Sequence, residues 1–302
     1  MKEKNKGLLF GISAYVLWGI IPLYWRLLPT VNSFDILCYR IVWSFIFMLI
    51  LLVTTGKWQQ FLQECRELWQ DKKKLGLIAL AAVLITINWG VFIWSVSIGK
   101  VTEASLGYYM NPLVNVLLAT IFLKEPLSRS GKIACGLALL GVLLLTLETG
   151  TLPVPSLVMA FAFSFYGLIK KGVKLSSASG LTIETMIIFP FALLYLFFVS
   201  DAGFMSYPTS INLLLAGAGI VTAIPLLLFA EAAKKISYIL LGFIQYINPT
   251  MMLLMAILLF HEPYTAEQFV AFGFIWAGIA VFMYGNLGGY LKEKRFVKKE
   301  MQ

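Results

Sequence analysis

Two Asn-Pro pairs stand at matching positions in two similar stretches of the sequence. Asn111-Pro112 aligns without a gap with Asn248-Pro249, which lies 137 residues further on. Proline inside a helix removes a backbone donor and leaves a carbonyl group of the preceding turn unpaired. The asparagine side chains can bond the backbone in a packing kink, or they can face a cavity lined by a broken helix. The sequence leaves both interpretations open.

The residues before each pair add further hydrogen-bonding side chains. Tyr108 and Tyr109 precede the first pair, and Gln245 and Tyr246 precede the second. If the helices break at the Asn-Pro pairs, these side chains can face a substrate. We therefore count them with the asparagines as candidate binding residues.

Two charged residues, Arg40 and Glu184, lie inside long apolar runs. At a rise of about 1.5 Å per residue, each should lie roughly 6–10 Å deep, measured from opposite faces of the membrane. In a hydrocarbon core about 30 Å thick they should be roughly 10 Å or more apart, so we expect no direct salt bridge. Either Arg40 binds an anionic substrate group and Glu184 a proton or cation, or both side chains reach towards the nearer interface.

Aromatic side chains inside the apolar runs can line a cavity for amphipathic organic solutes, with Asn88 as a polar contact. Packing against lipid or other helices is the competing role for each of them. The full set of candidate substrate-binding residues is Tyr15, Trp18, Arg40, Asn88, Trp89, Tyr108, Tyr109, Asn111, Tyr166, Glu184, Gln245, Tyr246 and Asn248.

Residue sets for enzyme chemistry are missing from the sequence. His261 is the only histidine, and the three cysteines are far apart, so we expect no metal site, cofactor or structural disulfide. There is no Walker A sequence and no glycine-rich dinucleotide fingerprint. We therefore expect no enzyme, and any pumping must use an ion gradient, exchange or the gradient of the substrate.

The composition requires a lipid environment for the elements that position these residues. The 302 residues are 60% hydrophobic and 13% charged, whereas soluble domains carry about a quarter charged residues. The long apolar runs predict an all-α polytopic membrane protein rather than a β-barrel. The ten predicted spans lie near 7–25, 34–53, 75–95, 104–123, 131–148, 153–170, 180–199, 211–230, 237–260 and 267–287. The first is read as an uncleaved span, and the connection 54–74 can form a surface helix.

The distribution of basic residues predicts the topology. If the N-terminus is cytoplasmic, 21 of the 24 Lys and Arg residues fall in segments on the cytoplasmic side. This asymmetry follows the positive-inside rule and places both termini in the cytoplasm. The net charge of +9 therefore reflects topology, and we expect no nucleic-acid partner.

The two halves have five spans each, so the second half should enter the membrane upside down relative to the first. We predict a first repeat at 7–148, a second at 153–287 and a basic cytoplasmic tail at 288–302. The loops agree, because Lys124 in a cytoplasmic loop has His261 as its counterpart in an external one.

Glycines are spaced so that the fifth and tenth spans can approach another helix closely. These residues are Gly131, Gly136, Gly141, Gly273 and Gly278. We expect the two spans to act as scaffold or as the contact of a homodimer, rather than to bind substrate.

Four stretches of the chain, at 13–26, 103–116, 162–171 and 242–263, resemble the RarD family, in the EamA-type branch of the drug/metabolite transporter superfamily. The resemblance runs nearly from end to end. It implies a bacterial inner-membrane permease of ten helices in two inverted repeats, with a central cavity that opens alternately to either side. In that fold the fourth and ninth helices help to line the cavity, and the fifth and tenth are peripheral.

We therefore expect a secondary-active or facilitative transporter, a permease or exporter, of small organic metabolites or drug-like solutes. Its expected partners are a small-molecule substrate and the lipid bilayer. The alternatives are a non-transporting sensor or assembly subunit on the same fold and, less favoured because catalytic residue sets are missing, a membrane-embedded enzyme.

Overall fold

The computed structural model describes residues 2–97, 101–149, 154–259 and 265–300, and all regular structure in these ranges is helical. The helices are α1 (Lys2–Trp25), α2 (Ser33–Thr54), α3 (Trp58–Gln70), α4 (Lys72–Ser97), α5 (Val101–Phe122), α6 (Arg129–Thr149), α7 (Val154–Gly172), α8 (Ser177–Phe198), α9 (Thr209–Lys235), α10 (Tyr238–Gln245), α11 (Ile247–Leu258) and α12 (Ala266–Glu300).

Within the described ranges, nine stretches are long and apolar enough to cross a membrane, and α5 adds a shorter apolar stretch at Leu106–Phe122. One of the nine, Tyr238–Met255, spans both α10 and α11. The predicted all-α membrane fold is therefore confirmed. The predicted external loop around His261 lies outside the residues that the structure describes.

The helix α3 forms the surface helix expected in the connection 54–74. It buries Phe61 and Leu68 on one side, while Trp69 is 69% exposed on the other. A helix with one apolar face and one polar face lies along an interface rather than across the hydrocarbon core.

The two Asn-Pro pairs differ in their effect on the backbone. Helix α5 runs through Pro112 without a break. The second crossing is interrupted at Tyr246, between α10 and α11. Pro249 has no N–H to bond to the carbonyl of Gln245, which lies four residues earlier, at the end of α10. The sequence allowed a broken helix at both pairs, and the structure has one only at the second.

Helices α6 and α12 pack against each other through glycines. A methyl group on Gly141 would lie 2.5 Å from the carbonyl oxygen of Ala271, and one on Gly278 would lie 2.8 Å from that of Ala134. Both distances are below van der Waals contact, so only glycine fits at either position. Two of the predicted close-approach glycines are therefore used in a contact inside the chain.

The same contact relates the two halves of the sequence. A shift of 137 residues carries Gly141 onto Gly278 and Ala134 onto Ala271, so the two contacts exchange under the shift, as contacts across a two-fold axis do. The contacts join the later residue of α6 to the earlier residue of α12, so the two helices run antiparallel. The homodimer through these spans stays a prediction.

Helix α12 continues to Glu300, well past the predicted end of the span at 287. The residues after 290 are mainly Lys, Glu, Leu, Arg and similar types, which have high helix propensity in water. The predicted basic tail is therefore largely a helical extension of α12.

Candidate substrate-binding cavity

A cavity of about 100 Å³ lies where helices of both sequence halves meet. Its lining comes from α1, α2, α4 and α5 of the first half and from α7, α10 and α11 of the second. Nine of the thirteen predicted residues line it, namely Tyr15, Trp18, Arg40, Asn88, Trp89, Tyr108, Asn111, Gln245 and Asn248. The structure adds Trp25, Phe92 and Phe163, which carry no sequence signal beyond being aromatic.

Arg40 is held in the cavity by a close approach of α2 and α9. A methyl group on Gly219 of α9 would overlap the backbone of Trp43 in α2, and Ser44 Oγ donates to the Gly219 carbonyl at 3.1 Å. Thr222 lies about one turn after Gly219, and Arg40 lies about one turn before Ser44. The Nε atom of Arg40 consequently donates to Thr222 Oγ1 at 2.9 Å.

Two indole rings complete the surroundings of the Arg40 guanidinium. Its Cζ atom lies 4.9 Å from the ring centroid of Trp25 and 4.6 Å from that of Trp89. Both distances are within the range of cation–π attraction. None of the ion pairs found among the described residues involves Arg40.

Carboxamide groups form the other polar part of the lining. Asn88 Nδ2 donates to the carbonyl of Met159 at 2.9 Å. Gln245 Oε1 accepts from Asn115 Nδ2 at 2.7 Å and from the Tyr15 hydroxyl at 3.5 Å. These bonds connect helices of the two halves at the lining of the cavity.

The two aligned asparagines both reach this cavity. Asn111 is 1% exposed and Asn248 is 6% exposed. Their Oδ1 atoms have no hydrogen-bond donor in the part of the chain that the structure describes. Buried polar atoms are normally bonded, so these two oxygens are available to a donor on a bound solute.

Tyr109 and Tyr246, predicted as binding residues, lie outside the lining. The Tyr109 hydroxyl donates to the carbonyl oxygen of Pro249 at 3.1 Å, which ties α5 to α11. Tyr246 is 1% exposed, and its hydroxyl has no partner within the described residues.

Tyr166 and Glu184 also lie outside the lining, in a buried cluster between α7 and α8. Glu184 accepts from Lys170 Nζ at 2.7 Å and from the Tyr166 hydroxyl at 3.2 Å. Arg40 and Glu184 therefore have separate partners, as their predicted depths required. The sequence analysis missed Lys170. The signal was available, because Lys170 near the end of α7 and Glu184 near the start of α8 lie towards the same face of the bundle.

An aromatic layer separates this cluster from the cavity. The ring of Phe163, which lines the cavity, lies 5.1 Å from that of Phe229. Phe229 in turn stacks on Tyr166 at 6.0 Å. Glu184 therefore has no direct contact with the cavity in this conformation.

At the end of the bundle where α1 begins, called here the N-terminal face, a clasp of hydrogen bonds joins several helices. Glu125 accepts from the backbone N–H groups of Tyr238 and Ile239 at 2.8 and 3.0 Å, at the start of α10. Lys171 donates to the carbonyls of Ala233 and Ile236 at 3.1 and 2.6 Å, at the end of α9. The two side chains also pair with each other at 3.7 Å. We call this set of bonds from Glu125 and Lys171 to the backbone the α9–α10 clasp. It joins the α9–α10 junction to the end of α7 and to the residues just after α5.

The opposite face has a second buried acid that the sequence analysis missed. Asp35 is 2% exposed and accepts from Ser200 Oγ at 2.9 Å and from the Tyr207 hydroxyl at 2.7 Å. Burial and the bond to Asp35 raise the pKa of Tyr207, which lies in a loop outside the spans. Asp35 therefore anchors the connection between α8 and α9 to the start of α2.

Known bacterial proteins resemble this chain over nearly its whole length. A model of the EamA-like transporter family matches residues 5–147. The Uncharacterized transporter YojE of Bacillus subtilis (strain 168) is 44% identical over 290 residues, which cover 94% of this chain and 96% of that protein. Protein RarD of Escherichia coli (strain K12) is 42% identical over 285 residues, covering 93% and 95%. The chain belongs to the RarD family of EamA-type transporters.

Other matches extend the RarD family assignment. The Chloramphenicol-sensitive protein RarD of Pseudomonas aeruginosa is 30% identical over 281 residues, covering 92% of this chain and 94% of that protein. A solved crystal structure at 18% identity superposes with a TM-score of 0.69 and covers 91% and 96% of the two chains, which shows a shared fold. With its apolar helices, this RarD-family member is a multi-pass protein of the bacterial inner membrane.

Proposed function

We propose that this RarD-family member is a secondary-active or facilitative transporter of small organic solutes that works by alternating access. One observation carries the proposal: a polar and charged cavity lies between the two halves of the sequence. We infer that the α9–α10 clasp, which bonds helices together at the N-terminal face, closes the cavity on that side. Polar and charged groups inside a membrane are energetically costly, so they commonly mark a transport pathway or a binding site. A cavity closed on one side is the arrangement that alternating access requires.

The repeats at 7–148 and 153–287 form the two moving halves in this proposal, with inverted topology and both termini in the cytoplasm. The reciprocal antiparallel contact between α6 and α12 supports the inversion. The excess of Lys and Arg on one side supports the orientation. The N-terminal face is then the cytoplasmic face, and the conformation described is closed towards the cytoplasm.

The proposed substrate contacts are the nine predicted residues that line the cavity. Tyr109, Tyr166, Glu184 and Tyr246 support the surrounding helices in this conformation. The lining combines one charged group, Arg40, with the carboxamides of Asn88, Asn111, Gln245 and Asn248, so different parts of a solute can bind to chemically different contacts.

Counterflow in proteoliposomes tests the proposal. Vesicles with the full chain are loaded with an unlabelled panel of small metabolites, aromatic acids and chloramphenicol, and uptake of each labelled compound is followed. We expect flux above empty liposomes for at least one compound. The double variant Asn111→Leu with Asn248→Leu should reduce it by about tenfold or more, because a solute loses its hydrogen-bond acceptors.

The control is Gly136→Ala, since a methyl group at Gly136 meets no described atom within 4 Å and the residue is remote from the cavity lining. It should leave flux unchanged. Equal flux in wild-type and empty vesicles across the panel would contradict transport, and binding without flux would instead favour the sensor.

A further inference from the structure

We infer that the substrates of this cavity are compact organic anions, held by their carboxylate on the guanidinium of Arg40. The inference rests on the proposed function and names the chemical class of its substrate. It follows from the charge, geometry and size of the cavity.

The first step is the charge of Arg40. An arginine side chain stays protonated in proteins and has five N–H donors. The hydrogen bonds found in the described part of the chain use one of them, from Nε to Thr222. Cation–π contacts with Trp25 and Trp89 stabilise the charge only in part. Four donors of a partly buried cation thus have no hydrogen-bond acceptor among the described residues and are left for a bound solute.

The second step is that the nearby acids are already engaged. Glu184 is paired with Lys170 at 2.7 Å behind the aromatic layer. Asp35 accepts from Ser200 and Tyr207 at the opposite face. Among the described residues that line the cavity, Arg40 alone is charged, so the lining is net positive. A cationic solute would be repelled, and a neutral one would leave Arg40 without a counter-ion.

The third step is orientation. The N–H groups of a guanidinium lie at the edge of its plane. The indole rings within 5 Å of Cζ and the bond from Nε to Thr222 hold that plane in place. That edge matches the two oxygens of a carboxylate, which can accept two parallel bonds. The cavity thus selects a planar acid group.

The fourth step concerns size and the remainder of the solute. The cavity holds about 100 Å³, below the roughly 300–1,000 Å³ of ordinary ligand pockets, so a compact solute is favoured. Trp18 and Phe163 provide an apolar wall. The unpaired Oδ1 atoms of Asn111 and Asn248 can accept from an amino or hydroxyl group. Small aromatic or branched carboxylic acids, with or without such a donor, have this form.

Thermal unfolding of the purified full chain in lipid nanodiscs tests the inference directly. The probes are three compounds of one shape, phenylacetate, phenylacetamide and phenethylamine, which are anionic, neutral and cationic at pH 7. We expect the anion to raise the unfolding midpoint in a saturable manner, and the other two to have little effect.

Variants of Arg40 show whether the anion uses this residue. Arg40→Gln should weaken phenylacetate binding roughly tenfold to hundredfold. Arg40→Lys should retain part of the binding, because it keeps the charge and loses the paired geometry. Arg66→Gln, at an exposed arginine on α3, is the matched control and should bind as the wild type does.

Three results would overturn the inference: no stabilisation by the anion in the wild type, equal stabilisation by all three compounds, or undiminished anion binding in a folded Arg40→Gln protein. Flux of neutral solutes in proteoliposomes together with any of these would refute the anionic class and leave transport standing. Anion binding through Arg40 without flux of any solute would refute the transport proposal and leave the anion site.

Discussion

Tyr109 and Tyr246 align in the two repeats, yet their hydroxyl groups have different surroundings. Tyr109 donates to the Pro249 carbonyl, whereas the Tyr246 hydroxyl is buried without a partner in the described part of the chain. The difference follows from the break before Asn248, which alters the backbone on one side only. At the scale of single residues, the duplicated sequence therefore gives an asymmetric site.

This asymmetry predicts opposite behaviour for a matched pair of substitutions. Tyr109→Phe should lower the free energy of unfolding by about 0.5–1.5 kcal/mol, because it removes one hydrogen bond between α5 and α11. Tyr246→Phe should be neutral or slightly stabilising, because it removes a buried hydroxyl that has no partner among the described residues. Unfolding midpoints in detergent measure both, and an equal loss for the two variants would contradict the assigned bonding.

Part of the candidate site was predictable from sequence because a polar residue inside an apolar run needs a polar partner. Arg40, Asn111 and Asn248 were candidates on that ground, and all three line the cavity. The sequence could not show that Glu184 pairs with Lys170, because the partner depends on how α7 and α8 rotate about their axes. Trp25 was also missed, since an aromatic residue near a span end is typical of the membrane interface.

At the scale of helices, the α6–α12 contact depends on two of the five glycines. Gly141→Ala and Gly278→Ala should each destabilise the fold by about 1–3 kcal/mol, because the added methyl group meets a backbone oxygen that cannot move aside. Gly136→Ala and Gly273→Ala, their neighbours on the same helices, should be neutral or stabilising by up to about 1 kcal/mol, since a helix favours alanine. Thermal unfolding of the four variants gives the comparison.

The Lys170–Glu184 pair joins α7 to α8 and predicts a second set of results. Glu184→Gln alone should destabilise the protein by about 3–5 kcal/mol, because Lys170 is left as a buried, uncompensated charge. Replacing both residues with methionine should recover most of that loss, since the pair then has no charge to desolvate. If the double variant is as unstable as the single one, packing rather than charge explains the cost.

The docking of α3 should depend on pH through Glu64, which accepts from Ser176 Oγ at 2.8 Å and from its N–H at 3.2 Å. Burial raises the pKa of Glu64, but hydrogen bonds from Ser179, Ser176 and Gln60 outweigh it, so the pKa lies below its ordinary 4.5. The stabilisation is therefore complete above pH 4.5 and is lost as the pH falls below that value. Because Glu64 is partly solvated, the effect should stay below about 1 kcal/mol.

Unfolding midpoints across this pH range measure the contribution of Glu64. Glu64→Gln should lower the midpoint at neutral pH, and its difference from the wild type should close as the medium becomes more acidic. Glu67→Gln, one turn away and bonded only to Gln63 among the described contacts, is the control and should show no such convergence.

Helix positions were predictable because the apolar runs are long and their ends are charged. Three features were not. Helix α5 tolerates Pro112, since tertiary packing decides whether a proline breaks a helix. The extension of α12 to Glu300 follows from propensity in water rather than from hydropathy. The dual role of Glu125, which caps α10 and pairs with Lys171, joins residues distant in sequence.

At the scale of the whole molecule, the proposed alternating-access cycle gives the α9–α10 clasp the role of a gate at the N-terminal face of the cavity. The clasp joins helices at the N-terminal face. Arg40, near the start of α2, and Trp25, at the end of α1, lie nearer the opposite face. A transporter of this kind needs a second gate at the opposite face, and the two gates cannot be open together without forming a leak. Weakening one gate should therefore tighten the other, which separates a transport cycle from local loosening.

Cysteine accessibility can measure this reciprocity. In a background without native cysteines, Ser164→Cys reports on the N-terminal side, where Ser164 is buried between the clasp and the cavity. Phe92→Cys reports on the cavity. Lys171→Met should speed labelling of the Ser164→Cys reporter from the N-terminal face. It should slow labelling of the Phe92→Cys reporter from the opposite face. The expected changes are about tenfold, the population shift for roughly 1.4 kcal/mol.

Lys174→Met is the matched control, because Lys174 is exposed three residues further along the same basic segment. Removing it takes away the same charge without opening the clasp, so both labelling rates should stay as in the wild type. If Lys171→Met accelerates both reporters, the clasp stabilises the fold without governing access. Opposite changes at the two reporters are expected only if one equilibrium between two conformations governs both labelling rates. A substitution that raises the population of one conformation then lowers that of the other.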